Sequence, residues 1–493
     1  MTAAIKPQPF PVIKTAPADQ APSLKAVRMS IWIYLILLLV EGVLRKWVVP
    51  QLSDPLLIIR DPVVLAIYYF ALRARRFPVN VYVIFCIVIG ILAVLLTVVV
   101  LGDYVPLKTV LLVAAYGFRS DFLHLPLVFV IANVLDLEDV KKIGRWTLLL
   151  SVPMAVLMML QFNASPDSFI NKTVGLGEGL QLSTAGGKIR PPAVFSFISG
   201  PIFFLSATTA FVIYGALNPR VYKGWLLLAA SAAILTGVIV SGSRGCVLAI
   251  GLVALAILVI LLVRPSEVNK IGGTVLALAI VGFLLILFAS RLPFLKEGID
   301  VLSERFTTSA EAAETTVVGG LVERIFDELT EPFTYLSKIP LTGYGLGLGT
   351  AGGARFLMGQ GGFLLSENEW TRIIAESGPF LGLGFIILRL ALTGKLFLTG
   401  FRALKSGQVL SILLFATAFV GMLNGQFGQP TTLGFTVVLA GLCLAAANFG
   451  DGDAGTEQAP EDQPRRLPRR SVFAERIHGP GNSTDQTNGS VDR

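Results

Sequence analysis

Histidine and cysteine are nearly absent: His124 and His478 are the only examples of the first, and Cys86, Cys246 and Cys443 of the second, in 493 residues. Each cysteine falls in an apolar run without paired spacing, which excludes both a disulfide framework and a zinc cluster. Charge is scarce too. Charged residues make up 15% of the chain against 54% hydrophobic, and a mean hydropathy of +0.73 is more apolar surface than a water-soluble fold buries. The net charge of +8 invites a nucleic-acid partner, but the basic residues are scattered through short loops between apolar runs, where membrane orientation accounts for them. No nucleic-acid contact is expected.

What the chain has is apolar length. A span needs roughly 20 helical residues to cross about 30 Å of hydrocarbon, and runs of that order lie near 29–49, 56–72, 79–101, 107–135, 145–162, 191–217, 224–241, 245–263, 270–290, 371–393, 408–425 and 430–449. The expected fold is therefore an all-α polytopic membrane protein of about twelve transmembrane helices. Residues 1–28, rich in Pro and Ala, and 450–493, with Arg465-Arg466-Leu467-Pro468-Arg469-Arg470, read as disordered cytoplasmic tails around a membrane domain at 29–449.

The positive-inside rule tests the scheme. With the N-terminus inside, the inner loops hold Arg73, Arg75 and Arg76; Lys141, Lys142 and Arg145; Arg220 and Lys223; Arg264 and Lys270; Lys395, Arg402 and Lys405. This depends on 107–135 being one interrupted span; if Arg119-Ser120-Asp121 formed a loop, every later connection would invert. Two long connections then fall outside, 163–190 and the larger 291–370 between spans nine and ten. In the second, Leu321, Ile325 and Leu329 repeat at a spacing of four, as in a helix lying on the membrane, and Pro332 should bend or end it.

Basic residues on the outer side are exceptions to that rule. Arg190 opens Arg190-Pro191-Pro192, Arg244 sits in the tight turn Ser241-Gly242-Ser243-Arg244-Gly245, Arg305, Arg324 and Arg355 lie in the large outer loop, and Arg372 begins span ten. A guanidinium fork pairs two phosphate oxygens at once, so several at one membrane face suggest a diphosphate ligand. The plainer reading makes each an interfacial anchor or ion-pair partner.

Glu369, Arg372 and Glu376 share a helix face at spacings of three and four, so Arg372 can pair with either glutamate. Glu376, about one and a half turns in, is an ionisable group in a costly place. Glu367, beside Asn368 and just outside the helix, is freer to meet a substrate. The run Gly343-Tyr344-Gly345-Leu346-Gly347-Leu348-Gly349 has no preceding strand and is no nucleotide fingerprint; it suits close approach of backbone to a ligand or the membrane. The one Asp-x-Asp, Asp451-Gly452-Asp453, lies in the inner tail, so no metal and no other cofactor is expected. Arg119, Asp121 and His124 fall mid-span, and Glu41, Arg45 and Lys46 could meet Arg60 and Asp61; pairing between helices or the lining of a polar cavity would explain them.

Taken with their order and sidedness, Ser241-Gly242-Ser243-Arg244-Gly245, Arg190 through Phe195, Pro340 through Gly347 and Asn368 through Gly378 give a chain that resembles the O-antigen ligase and O-antigen polymerase superfamily of bacterial envelope glycosyltransferases. The resemblance implies a metal-independent, inverting enzyme of the inner (cytoplasmic) membrane, with both termini cytoplasmic, working in polysaccharide or lipopolysaccharide biosynthesis. It would move a glycan from undecaprenyl diphosphate to a glycan or lipid acceptor at the extracytoplasmic face. Arg190 and Arg244 would grip the diphosphate and Glu367, where ligases carry histidine, would be the base. Arg324, Arg355, Asn368, Arg372, Glu376, Gly343, Gly345 and Gly347 would line the substrate site, among membrane lipids and envelope assembly partners. A transporter for lipid-linked glycans, with Arg119, Asp121 and Glu41 along its path, and a non-catalytic assembly partner are the rivals.

Overall fold

The structure is a computed structural model that describes residues 21–174, 187–265, 293–312, 317–359 and 365–448, and every regular element in them is helical. In chain order these are α1 Ala21–Val43, α2 Ser53–Leu56, α3 Asp61–Arg73, α4 Val81–Leu101, α5 Leu107–Phe118, α6 Leu127–Val134, α7 Leu137–Asn163, α8 Ser199–Leu217 and α9 Gly224–Ser241. They continue as α10 Arg244–Val263, α11 Pro293–Ala312, α12 Val317–Thr334, α13 Ala351–Met358, α14 Glu369–Lys405, α15 Val409–Asn424 and α16 Pro430–Ala447.

Among the described residues nine helical segments are long and apolar enough to cross a membrane, so the chain is a multi-pass membrane protein. Three of the twelve expected spans are not among them. The run 270–290 lies outside the described residues. The run 107–135 is two short helices, α5 and α6, around a π-helical turn at Arg119–Leu123, and 408–425 is the 16-residue α15.

Boundaries follow local chemistry. The α7 helix begins at Leu137, well before the apolar run, because Asp136 caps it in a capping box with Asp139. Conversely, the expected span at 191–217 starts late: Pro191 and Pro192 keep its first residues out of the helix, and α8 opens at Ser199. Pro332, expected to bend or end its helix, lies inside α12, which ends two residues later at Thr334.

The innermost helix is α16, 89% of whose apolar window is buried and which packs on α1, α6, α7, α8, α14 and α15. Between helices in lipid the hydrophobic effect supplies little, so close packing of small residues must hold them. Gly441 meets Ile131 of α6, where a methyl group would stand 2.7 Å away, and Gly434 leaves room for the Arg60 guanidinium. The helix bundle thus admits charged side chains into its centre.

Candidate functional site

The Pro340–Gly378 stretch that carries most of the expected site residues is built around a break in α14. Its backbone leaves helical geometry at Gly378 (φ 76°, ψ 167°), a conformation open to glycine but strained for other residues. Pro379 follows and lacks the N–H that would bond the Ala375 carbonyl four residues back. The glycine run fills that vacancy: Tyr344 N–H donates to Ala375 O at 2.8 Å, and Gly345 N–H to Glu376 O at 3.0 Å. The run then threads between α4 and α5. Leu346 N–H donates to Thr97 Oγ1 at 2.8 Å, and Gly347 (φ 93°) lies so close to α5 that a Cβ would stand 2.3 Å from Val113 O. The glycines are there for backbone-to-backbone approach.

At the other end of the half-helix, Asn368 is the N-cap: its Oδ1 accepts from the N–H groups of Trp370 and Thr371, and its Nδ2 donates to Glu328 O of α12 at 2.8 Å. Between cap and break stands a buried ion cluster. Arg372 bonds Glu369 through Nε and Nη2 (3.0 Å each), Glu376 through Nη1 (2.9 Å), and Asp121 of the π-helical turn through Nη2 (2.7 Å). Arg389, further along α14, bonds Glu369 at 2.9 Å and the carbonyls of Met422, Gly421 and Gly425, and lies over the Phe427 ring. Backbone N–H groups complete the carboxylates, Gly349 to Glu376 Oε1 at 2.7 Å and Phe427 to Glu369 Oε1 at 3.0 Å. Asp121, Glu369, Arg372, Glu376 and Arg389 are each 2% exposed or less. Ionisable groups in so dry a place are tolerated because each has several partners. Arg372 therefore pairs with both glutamates, and Arg372 and Glu376 spend their polar atoms on the protein itself.

A second network sits in α1 and α3. Glu41 accepts from Arg45 (3.2 Å) and Arg60 (3.0 Å); Arg60 donates to the Tyr34 hydroxyl (3.2 Å) and the Pro430 carbonyl; Tyr34 meets His124 Nδ1 (2.9 Å); and His124 Nε2 meets Asp61 (2.9 Å). Asp61 also accepts from Arg119 at 2.6 Å. Lys46 turns elsewhere: fully buried, its Nζ donates to Ala193 O at 2.5 Å. Ala193 holds a left-handed backbone (φ 52°), and Gln161 accepts from its N–H at 2.8 Å while donating to its carbonyl at 3.2 Å. Lys46 and Gln161 thereby fix the Arg190–Phe195 segment.

Of the expected site residues, the structure brings Gly343, Gly345, Gly347, Asn368, Arg372 and Glu376 together on one half-helix and its cap. Glu367 is exposed beside them, and its carbonyl accepts from Gln426 at 2.6 Å. Arg355, on α13, pairs with Asp54. Arg190 is half-buried, with a buried Nε that has no partner among the described residues. Arg244 is the first residue of α10, half-buried and engaged in an interaction. Arg324 lies on α12, but its side chain lies outside the described residues. Among the described residues no group of histidine, cysteine and carboxylate side chains is arranged to hold a metal.

Sequence reasoning missed Arg389, Tyr34 and Gln161 as members of these networks. Arg389 had a signal: an arginine in the midst of the apolar run after Pro379 is costly in lipid and calls for a buried partner. Tyr34 and Gln161 had none. No protein-family profile matches the chain, and no curated protein matches it.

Proposed function

We propose that the chain is a membrane glycosyltransferase of the polysaccharide polymerase or O-antigen ligase type. It uses a glycan on undecaprenyl diphosphate and an acceptor hydroxyl at the extracytoplasmic face, in a twelve-span topology with both ends inside. The observation that carries this reading is the mounting of Glu367. It is an exposed carboxylate one residue before a capped half-helix whose far end is tied by the glycine run and whose inner face is locked by Arg372. A general base needs that combination of access and fixed position. Arg244, at the N-terminus of α10, adds a guanidinium to the N–H groups and positive dipole end that favour an anion. Departing diphosphate charge is stabilised by such preorganised donors without metal.

The test is a transfer assay on purified protein in nanodiscs with a lipid-diphosphate glycan donor. Glu367→Gln keeps size and hydrogen bonding but removes basicity, so donor binding should survive while turnover falls by a factor of about 10²–10⁴. Glu376→Gln, which keeps one acceptor oxygen for Arg372 or Gly349 and turns its amide N–H toward the other, should be milder in turnover. Normal turnover in the first with a strong defect in the second moves the base into α14.

A second reading is a transporter of lipid-linked glycans. It is favoured by two broken helices, α5–α6 and α14, that meet through Asp121 and Arg372, since transporters build their sites on interrupted helices. Movement of a labelled lipid-linked glycan across proteoliposome membranes, without a new glycosidic bond, would select it.

A further inference from the structure

Two π-helical turns, Leu44–Val48 and Arg119–Leu123, carry basic residues into the interior, and π turns of this kind concentrate at functional sites. Both turns aim an arginine at the same short segment. Arg45 Nε donates to Ser53 O at 3.0 Å, and Arg119 Nη2 donates to Leu57 O at 2.6 Å, four residues further on. Three residues before Arg119, on α5, Tyr116 has its ring centroid 5.1 Å from the Arg119 guanidinium carbon. Its hydroxyl has no hydrogen-bond partner among the described residues.

Among the described residues Arg45 and Arg60 share Glu41, and Arg119 pairs with Asp61. Arg119 is 5% exposed, and its Nη1 is buried with no partner among the described residues. Leaving a buried donor on a charged group unmet is costly. Arg45 Nη1 reaches Ser196 Oγ at 3.1 Å, which adds a hydroxyl at the start of the chain leading into α8.

We infer that Arg45, Arg119 and Tyr116 form a binding site for a phosphate-type oxyanion. Arg119 Nη1 and the Tyr116 hydroxyl are donors left without an acceptor among the described residues, and a tetrahedral oxyanion can accept from both, with the Arg45 charge nearby. Only the identity of the ligand's tail rests on the lipid-diphosphate reading.

Calorimetric titration of the detergent-purified full chain tests it with two probes, inorganic diphosphate and farnesyl diphosphate. Both should bind, the prenyl form more tightly. Arg119→Gln should weaken both about ten- to a hundredfold, the loss of one charge-assisted hydrogen bond or more. Since Arg119→Gln also loosens Asp61, Tyr116→Phe is the companion: it breaks no internal hydrogen bond, keeps the ring against Arg119 and Gly352, and should weaken both probes severalfold at an unchanged melting temperature. Binding of either probe that is indifferent to Tyr116→Phe and Arg119→Gln overturns the site, even where the lipid-diphosphate reading survives. Equal affinity for the two probes, lost together in the variants, leaves the site standing and removes the lipid.

Discussion

Arg372 Nη2 lies 2.7 Å from Asp121 Oδ1, a pair 251 residues apart in sequence that joins the break in α14 to the π-helical turn between α5 and α6. Each interruption frees polar groups inside a membrane helix, where unmet backbone and charged groups are costly. Placing the interruptions against each other lets one ion cluster serve both. The cluster holds three carboxylates, Asp121, Glu369 and Glu376, against the guanidinium groups of Arg372 and Arg389.

That imbalance gives an ordered prediction. Arg372→Gln leaves three carboxylates facing Arg389 alone and should cost about 3–5 kcal/mol, the usual penalty for breaking a buried pair from one side. Asp121→Asn leaves two carboxyl groups facing two guanidinium groups and an oxygen that still accepts from Arg372, so about 1 kcal/mol is expected. Thermal unfolding of the detergent-solubilised variants reads the difference, and a larger loss for Asp121→Asn than for Arg372→Gln would contradict the charge count.

The glycine run offers a second test, independent of charge. At Gly347 the backbone is left-handed and a Cβ would stand 2.3 Å from Val113 O, so Gly347→Ala meets strain and a backbone clash together and should cost about 2–3 kcal/mol or more. Gly251 of α10 has nothing within 4 Å of its Cβ position; there alanine should be neutral or stabilising by up to about 1 kcal/mol. Equal melting temperatures for the two variants would remove the close approach of the glycine run to α5.

How much of this was legible in the sequence depends on the length scale of the signal. The membrane class, the long apolar helices and the pairing of Glu369, Arg372 and Glu376 follow from composition and a spacing of three and four. The glycine run was readable as close backbone approach. Its target was not, because what it caps is a carbonyl of α14 freed by Pro379, and neither end of that contact is marked by residue type. The partners of Arg372 and Arg119 could be expected as helix pairing, but which of the buried carboxylates each would meet depends on how α5 and α14 bend. Lys46 could have joined the nearby charges; it took a carbonyl instead, because the left-handed turn at Ala193 presents one.

At the start of α7, Asp136 lies outside the apolar helix, where pH acts through water. Partial burial works against its charge, but the Asp139 N–H and Arg28 outweigh it, and its carboxyl titrates below its ordinary 3.8. A group with a depressed folded value contributes stability that is present above its unfolded value and lost as pH falls through the folded one. With a side chain one-third exposed, the Arg28 pair is screened and most of the effect is the helix cap. Asp136→Ala should cost about 1 kcal/mol at neutral pH, and the gap to the unmodified protein should shrink below pH 3.8. A gap that widens on acidification would reverse the sign and the assignment.

Arg244 is the sharpest test of the proposed chemistry, because it separates charge from geometry at one position. It opens α10 directly after a left-handed Gly242 (φ 54°) and Ser243, whose N–H is taken by Ser241 Oγ at 3.2 Å. The turn thus places Arg244 at a helix N-terminus, where anions are favoured. Arg244→Lys keeps the positive charge and loses the bidentate fork. If the fork grips a diphosphate that leaves during transfer, lysine should lower turnover by one to two decades, about 1.5–3 kcal/mol, and alanine by more. Arg244 also has an interaction within the protein, so the melting temperature of each variant must be followed alongside. Transfer rates that fall while melting temperatures hold place the defect at the phosphate. Full turnover in both Arg244→Lys and Arg244→Ala would take the arginine out of the site.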